Sequence, residues 1–380
     1  MSEVRVNNLS NENNTGGPTI SGITTYSGRH FFVPPQGDTA SRPEDCEPGS
    51  LRFNTDTTHL EYFKGNTIGW TEIEAELTEP LGGGTGSNEG LGIRGIFAGK
   101  NPTTNVMQFC TLSTLGNTQD FGDLPEATGS SAGMASRTRA IFAGGYGNHG
   151  DNMSFVTFAS TGNATSFGSL GSNRRHEDAR CASSTRGVLI GHMEFSPFGD
   201  MSNTIEYITL AALGNAVDFG DITGSNNHAL GAGFGSPTRG VIAGGSPAST
   251  DIQFITISTL GNTTDFGDLV MGSIREAAGT SNCTRGIISG GYTGAAAVNV
   301  NQYVTIASTG NAEDFGDMTS AFSTHSGNSS PTRAIFGAVN SIDIDFMQIA
   351  TLGNAQDFGE LSQVTSGSRI GSCSNGHGGL

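Results

Sequence analysis

The chain has 380 residues and a formal net charge of −17, and charged residues make up only 14% of it. This acidic balance argues against a nucleic-acid partner, because a phosphate-binding face needs clustered cations. The 58 glycines are typical of β structure with many turns. No long apolar run occurs, and residues 1–14 have no apolar core, so we expect neither a membrane-inserted segment nor a signal peptide.

The N-terminal part predicts an extended arm followed by a small sheet. Residues 1–45 are polar, and two Pro-containing pairs, Pro34-Pro35 and Arg42-Pro43, disfavour a helix. Residues 46–81 alternate apolar and polar side chains around two turns and contain the only Trp. This alternation predicts a small β-meander, which is too small to be very stable by itself.

Residues 82–380 contain six copies of one pattern. In each copy an aromatic residue precedes a Phe by twelve positions, and these are Phe121, Phe167, Phe219, Phe266, Phe315 and Phe358. An Arg followed by an apolar run also occurs once per copy, at intervals of 45 to 53 residues: Arg94, Arg139, Arg186, Arg239, Arg285 and Arg333. Each copy divides into four strand-sized pieces separated by turns. The period predicts an all-β fold, a six-bladed β-propeller with one four-stranded blade per copy.

The repeated residues suggest structural roles. The first strand of each copy is rich in small residues, which suits the innermost position, and the Phe side chains would fill the wider space between blades. We expect each Arg to bridge to a neighbouring carboxylate or carbonyl, and the recurrent acidic candidates are Asp123, Asp221, Asp268 and Asp317.

The first copy needs an extra strand. Residues 366–380 are expected to supply it, with residues 83–88 as the competitor.

The repeats resemble the kelch pattern, in which an apolar strand ends in Gly-Gly and two later strands each carry an aromatic residue. Three copies carry the pair fully, at Gly144-Gly145, Gly244-Gly245 and Gly290-Gly291. The other three depart from it, and Phe stands where kelch repeats usually have Trp. The predicted fold is therefore a kelch-like propeller.

A second resemblance covers both parts of the chain. The run Gly-Ser-Leu-Arg-Phe-Asn-Thr-Asp-Thr that begins at Gly49 is similar to a segment of tail-fibre and other virion structural proteins of tailed bacteriophages. Repeats built on Leu-Gly-Asn-Ala-x-Asp-Phe-Gly-Asp-Leu resemble those in structural proteins of cyanophages and related marine phages. The resemblance implies a virion protein that is assembled in the host cytoplasm and exposed on the particle surface. The arm would bind other virion proteins, and the chain would form a homo-oligomer such as a trimer.

By analogy, the resemblance implies a role in host adsorption, which fold alone does not establish. The chain would be a tail-fibre or tail-tip component whose propeller face binds a host-surface glycan or receptor. The alternative is a purely structural component, a capsid decoration or tail adaptor without receptor contact.

One set of connections varies more than the others. From the Arg of each copy to its first aromatic residue the separation ranges from 13 to 21, whereas from each Phe to the next Arg it is 18 to 20. Variable loops on a rigid scaffold often carry recognition, although drift explains such variation equally well. The candidate binding residues are Tyr146, Asn148, His149, Arg174, Arg175, His176, His192, Phe195, Phe198 and Tyr292. With Arg180, the two arginines form the only basic cluster, suited to an anionic sugar or a surface carboxylate.

Catalytic and metal-binding patterns are weak. Asp-Phe-Gly recurs five times, so it indicates a strand and turn rather than a kinase motif. The Ser-x-Asp-x-Gly-x-Thr-Trp box of sialidase-like propellers is absent. Carboxylates that recur in most copies are architectural, and we expect no enzyme and no cofactor. Five histidines in or near loops share no ligand spacing, so we expect them to be solvated and to hold no metal: His149, His176, His192, His228 and His325.

Overall fold

The computed structural model describes residues 34–44, 46–57, 59–73, 93–100, 102–146, 150–172, 174–175, 179–195, 198–224, 229–337, 342–363 and 369–376. The chain divides into two compact units, Met1–Glu76 and Leu77–Leu380. The predicted boundary between residues 81 and 82 lies outside the described residues, as do residues 1–33 of the predicted arm. The described part is all-β, apart from one 3-10 helix at Thr39–Ser41. It contains no helix long and apolar enough to cross a membrane.

The described residues of the first unit form a four-stranded sheet of β1 (Gln36–Gly37), β2 (Leu51–Asn54), β3 (His59–Phe63) and β4 (Trp70–Glu72). Strands β2, β3 and β4 form the predicted antiparallel meander. Strand β1 pairs with β2 in parallel, so the sheet begins within the segment that was expected to be an extended arm.

A buried carboxylate links two arginines in this unit. Glu61 is fully buried, and its side chain lies 2.6 Å from Nη2 of Arg42 and 3.3 Å from Nη1 of Arg52. Burial works to raise the pKa of Glu61, but hydrogen bonds from Arg42 and Asn54 outweigh it, so the pKa lies below its usual value. The two ion pairs of Glu61 therefore hold Arg42 and Arg52 together at a charged centre of the first unit.

The second unit contains six sheets among the described residues, numbered here in the chain order of their repeat arginines. Sheet 1 contains β5 (Arg94–Ala98), β6 (Thr104–Thr111) and β7 (Gln119–Thr128). Sheet 2 contains β8 (Ala132–Ala135), β9 (Arg139–Ala143), β10 (Asn152–Thr157) and β11 (Thr165–Ser169). Sheet 3 has five strands, β12 (Arg174–Arg175), β13 (Arg180–Ala182), β14 (Arg186–Phe195), β15 (Phe198–Thr209) and β16 (Val217–Asp221).

The remaining sheets repeat the same antiparallel order. Sheet 4 contains β17 (Ala232–Gly235), β18 (Arg239–Ala243), β19 (Asp251–Thr256) and β20 (Thr264–Asp268). Sheet 5 contains β21 (Ala278–Ser281), β22 (Arg285–Ser289), β23 (Val298–Thr305) and β24 (Glu313–Phe322). Sheet 6 contains β25 (Ser326–Ser329), β26 (Arg333–Gly337), β27 (Asp343–Gln348) and β28 (Gln356–Glu360).

The last strand of the chain completes sheet 1. Strand β29 (Gly371–Ser374) pairs antiparallel with β5, with Gly371 opposite Ala98 and Ser374 opposite Gly95. This confirms the predicted pairing of the C-terminal segment with the first copy. The competitor, residues 83–88, lies outside the described residues.

The first strands of the six sheets contact one another in sequence, from β29 to β8, β13, β17, β21 and β25, and β25 contacts β29. The approach is close. A β-carbon at Gly133 would collide with the backbone of Ser372, and one at Gly279 would collide with the backbone of Gly233. Small residues are therefore required where these strands meet, as expected from their composition.

The repeat arginines link neighbouring sheets. In each copy the guanidinium lies over the first aromatic ring of its own sheet, with Cζ 4.3 to 4.7 Å from the ring centroid. Its Nη1 donates a hydrogen bond of 2.6 to 2.9 Å to a carbonyl of the next sheet. The pairs are Arg94–Phe158, Arg139–Leu210, Arg186–Ile257, Arg239–Ile306, Arg285–Ile349 and Arg333–Leu112. The prediction that each Arg bridges to a neighbouring carbonyl is therefore confirmed.

The two aromatic residues of each copy pack edge to face, with centroids 5.8 to 6.1 Å apart. The second member, always Phe, is buried in all six copies. The predicted core role of these rings is therefore confirmed.

The carboxylate alternative for the arginines is wrong. Asp123, Asp221, Asp268 and Asp317 instead contribute backbone N–H groups, which donate to an Asn side chain in the next sheet at 3.0 to 3.1 Å. The same link joins Ser169 to Asn215, and Glu360 of sheet 6 to Asn117 of sheet 1. The Asn of each Leu-Gly-Asn or Thr-Gly-Asn turn is therefore a second repeated connection between sheets.

Candidate functional site

We call the ends of the sheets that carry the connections between second and third strands the variable face. Of the candidate binding residues, Tyr146 and Tyr292 are partly buried there, whereas Asn148, His149 and His176 lie outside the described residues. The backbone of Arg174 and Arg175 forms β12, paired with Glu194 and Met193 of β14.

The third sheet has the longest connection because its second and third strands extend beyond the others. Strands β14 and β15 contain 10 and 12 residues, against 5 and 6 in the matching strands of sheet 2. Phe195 pairs with Phe198 at the tip of the hairpin. The segment 192–202, expected to be a loop, is therefore mostly paired strand.

His192 was expected to be a solvated loop residue, and that expectation is wrong. Its side chain is buried, and Nε2 lies 2.8 Å from Oε1 of Glu194. The same carboxylate oxygen accepts a hydrogen bond of 3.1 Å from the Ser172 hydroxyl. Because the carboxylate lies between the hydroxyl and the imidazole, this arrangement is unlike a Ser-His pair that activates a nucleophile. The cluster ties the hairpin to the segment after sheet 2.

Arg180 does not belong to a basic surface cluster. It is fully buried in β13, where Nε donates to the carbonyl of Gly133 and Nη2 lies 2.7 Å from the carbonyl of Ser372 and 3.3 Å from the hydroxyl of Ser326. Its guanidinium therefore connects the first strands of sheets 1, 2, 3 and 6. The several donors of a planar guanidinium suit a place where backbone carbonyls converge.

His325 was also expected to be solvated, and it is buried. Its ring lies 5.9 Å from the Phe322 ring and 5.8 Å from the Phe336 ring, and Nε2 lies 3.2 Å from the Ser289 hydroxyl. Burial lowers the pKa of His325 to about 3. This imidazole is a neutral core group between sheets 5 and 6.

The two tyrosines of the variable face have different surroundings. Tyr292 is fixed by backbone hydrogen bonds to Arg275, and the Arg275 guanidinium lies 5.3 Å from its ring centroid. Tyr146 lines a cavity of about 110 Å³ between sheets 1 and 2, together with Glu126, Ser131 and Asn152. Glu126 and Ser131 were not among the predicted residues, because neither belongs to the variable connections. The face therefore includes a concave feature at Tyr146.

The opposite ends of the sheets carry exposed leucines. Four Leu-Gly-Asn turns place a leucine 59 to 61% exposed, at Leu115, Leu213, Leu260 and Leu352. Exposed apolar side chains that recur on one face can pack against other proteins.

Within the described ranges, no group of three or more His, Cys, Asp or Glu side chains could hold a metal ion. In comparisons with known proteins, no family model and no curated protein matches the chain.

Proposed function

We propose that the six sheets are the blades of a closed, kelch-like β-propeller. Three features support this. Each repeat Arg links its sheet to the next, Arg333 links sheet 6 back to sheet 1, and β29 completes sheet 1 with the last strand of the chain. Closure of this kind leaves few unpaired sheet edges.

We further propose that the chain is a tail-fibre or tail-tip component of a phage virion. The resemblance of the segment that begins at Gly49 and of the repeats to phage structural proteins supports this origin. In the proposal, the N-terminal arm binds other virion proteins, and the propeller presents the variable face to a host-surface glycan or receptor. The chain acts as a homo-oligomer on the particle surface, without enzymatic activity, cofactor, nucleic acid or membrane insertion.

One observation carries the host-binding part of the proposal. The links between sheets are the same in all six copies, whereas the connections on the variable face differ in length and in strand content. A scaffold held by repeated contacts can change its loops without losing its fold, and binding residues are commonly placed on such loops.

The second candidate is a purely structural virion component, a capsid decoration or tail adaptor. The four exposed leucines opposite the variable face favour it, because they offer an apolar surface to neighbouring virion proteins.

Location on the particle separates the two functions. Antibodies against the full chain, applied to purified virions of the phage that encodes it and imaged by immunogold electron microscopy, are expected to label the tail fibres or tail tip. Label spread over the capsid would favour the structural candidate. Absence of the chain from purified virions would contradict both.

A further inference from the structure

The interface between sheets 1 and 2 has a close counterpart between sheets 5 and 6. Residues 119–143 align without a gap to residues 313–337. Strands β7 and β24 both contain 10 residues, and Ser130 and Thr324 both have φ of 58°. Side chains at matching positions therefore occupy matching places in the two interfaces.

At the second interface two rings fill the space. Phe322 and His325 are buried there, and the His325 ring also packs on Phe336. The matching residues at the first interface are Thr128, Ser131 and Phe142. Because Thr and Ser replace the two rings, this interface keeps the cavity of about 110 Å³ that Thr128, Ser131 and Phe142 all line.

The lining combines an apolar floor with polar groups. Phe142, Leu124 and Met153 are buried and form the apolar part. Ser131 is only 1% exposed, and its hydroxyl has no hydrogen-bond partner. A buried hydroxyl without a partner carries a free-energy cost. A bound molecule with a hydroxyl group of its own would remove that cost.

The rest of the lining restricts the charge and the size of the ligand. Glu126 is the only charged side chain among the described residues that line the cavity, so an anionic ligand is disfavoured and donors are favoured. Tyr146 adds a partly exposed aromatic side chain to the lining. The volume is below the roughly 300–1,000 Å³ of pockets that enclose drug-sized molecules. A single sugar ring has the required apolar C–H face, hydroxyl donors and size.

We infer that this cavity binds one ring of a neutral glycan, such as the terminal residue of a host-surface polysaccharide. The host source of the glycan rests on the proposed function, whereas the cavity and its ligand class do not. The inference also replaces the anionic sugar suggested by the basic cluster, because Arg180 is buried elsewhere.

The test is saturation-transfer NMR on the full chain with methyl glycosides of glucose, galactose, mannose and N-acetylglucosamine, and with glucuronic acid as the anionic comparison. We expect saturable binding of at least one neutral glycoside and none of glucuronic acid. The double substitution Thr128→Phe and Ser131→His copies the filled interface and should weaken binding at least tenfold. Thr138→Ala, at the opposite end of sheet 2, is the matched control and should bind as the parent does.

A second variant covers the case in which the filled interface does not fold. Ser131→Ala keeps the cavity open and removes only the hydroxyl, and it should weaken binding about two- to tenfold, the range of one net hydrogen bond. If no neutral glycoside binds the folded chain, or if the filled variant binds as well as the parent, the inference is wrong.

Competition for virion adsorption separates this result from the proposed function. If the parent and the filled variant block adsorption equally, host binding stands and the cavity plays no part in it. If the parent binds a neutral sugar but never blocks adsorption, the sugar site stands and host binding fails.

Discussion

Arg333 of sheet 6 donates a hydrogen bond of 2.8 Å to the carbonyl oxygen of Leu112 in sheet 1, across 221 positions of the chain. Five other arginines make the equivalent link between successive sheets. The contact that joins the two ends of the repeat region is therefore the same contact that joins its interior sheets.

Loss of one such link should destabilise the second unit. In the variant Arg239→Gln, the bond to Ile306 and the stacking on Phe254 are lost, and we expect the free energy of unfolding to fall by about 2–4 kcal/mol. Urea denaturation measures the change. Asp265→Asn, an exposed position of the same sheet, is the control and should change stability by less than about 0.5 kcal/mol. A similar small change for Arg239→Gln would show that the link is not stabilising.

The repeated Phe side chains should be large contributors to stability. Phe266 and Phe315 are each 2% exposed, so replacement by Ala should leave a cavity and cost about 3–5 kcal/mol. Chemical denaturation of each variant tests this. Losses below about 1 kcal/mol at both positions would mean that the rings do not form a core between sheets.

Removal of the last strand should open sheet 1. Truncation after Leu361 deletes β29, which exposes the free edge of β5 and removes the Ser372 carbonyl that Arg180 contacts. We expect a large fall in melting temperature or aggregation. Truncation after Gly376 leaves β29 intact and should melt like the full chain. If truncation after Leu361 leaves a monodisperse protein with unchanged melting, another segment completes the sheet.

Sequence patterns are sufficient for the repeats and for the pairing of the last strand with the first copy, because these depend on local residue types and on a fixed period. They fail where a contact depends on several sheets at once. Arg180, His192 and His325 were expected in or near loops, yet all three are buried. Arg180 contacts Ser372 of sheet 1, and His325 contacts Ser289 of sheet 5. The cavity at Ser131 could have been found from the sequence. Residues 119–143 match residues 313–337 without a gap, and this match aligns Ser131 with His325.

The buried imidazole predicts an acid-sensitive stability. Because the folded pKa of His325 is about 3 and an unfolded His titrates near 6.5, the unfolded state binds an extra proton between these values. His325 should therefore contribute a loss of up to about 1.4 kcal/mol per pH unit as the pH falls from 6.5 towards 3. The variant His325→Phe should have a shallower dependence, measured by urea denaturation at several pH values.

The contribution of Asp345 has the opposite sign, because burial raises its pKa and favours the folded state as it becomes protonated. The comparison of His325→Phe with the parent keeps Asp345 in both proteins. Equal slopes in the two would contradict the assignment to His325.

Adsorption of virions to host cells in the presence of the purified full chain tests the proposed host binding most directly. Saturating folded chain is expected to reduce adsorption, and the variant Tyr146→Ala/Tyr292→Ala on the variable face should lose this effect at unchanged melting temperature. Leu260→Ser, on the opposite face, should compete as the parent does. Unchanged adsorption in the presence of saturating folded parent chain would contradict host binding and leave the chain a structural component of the particle.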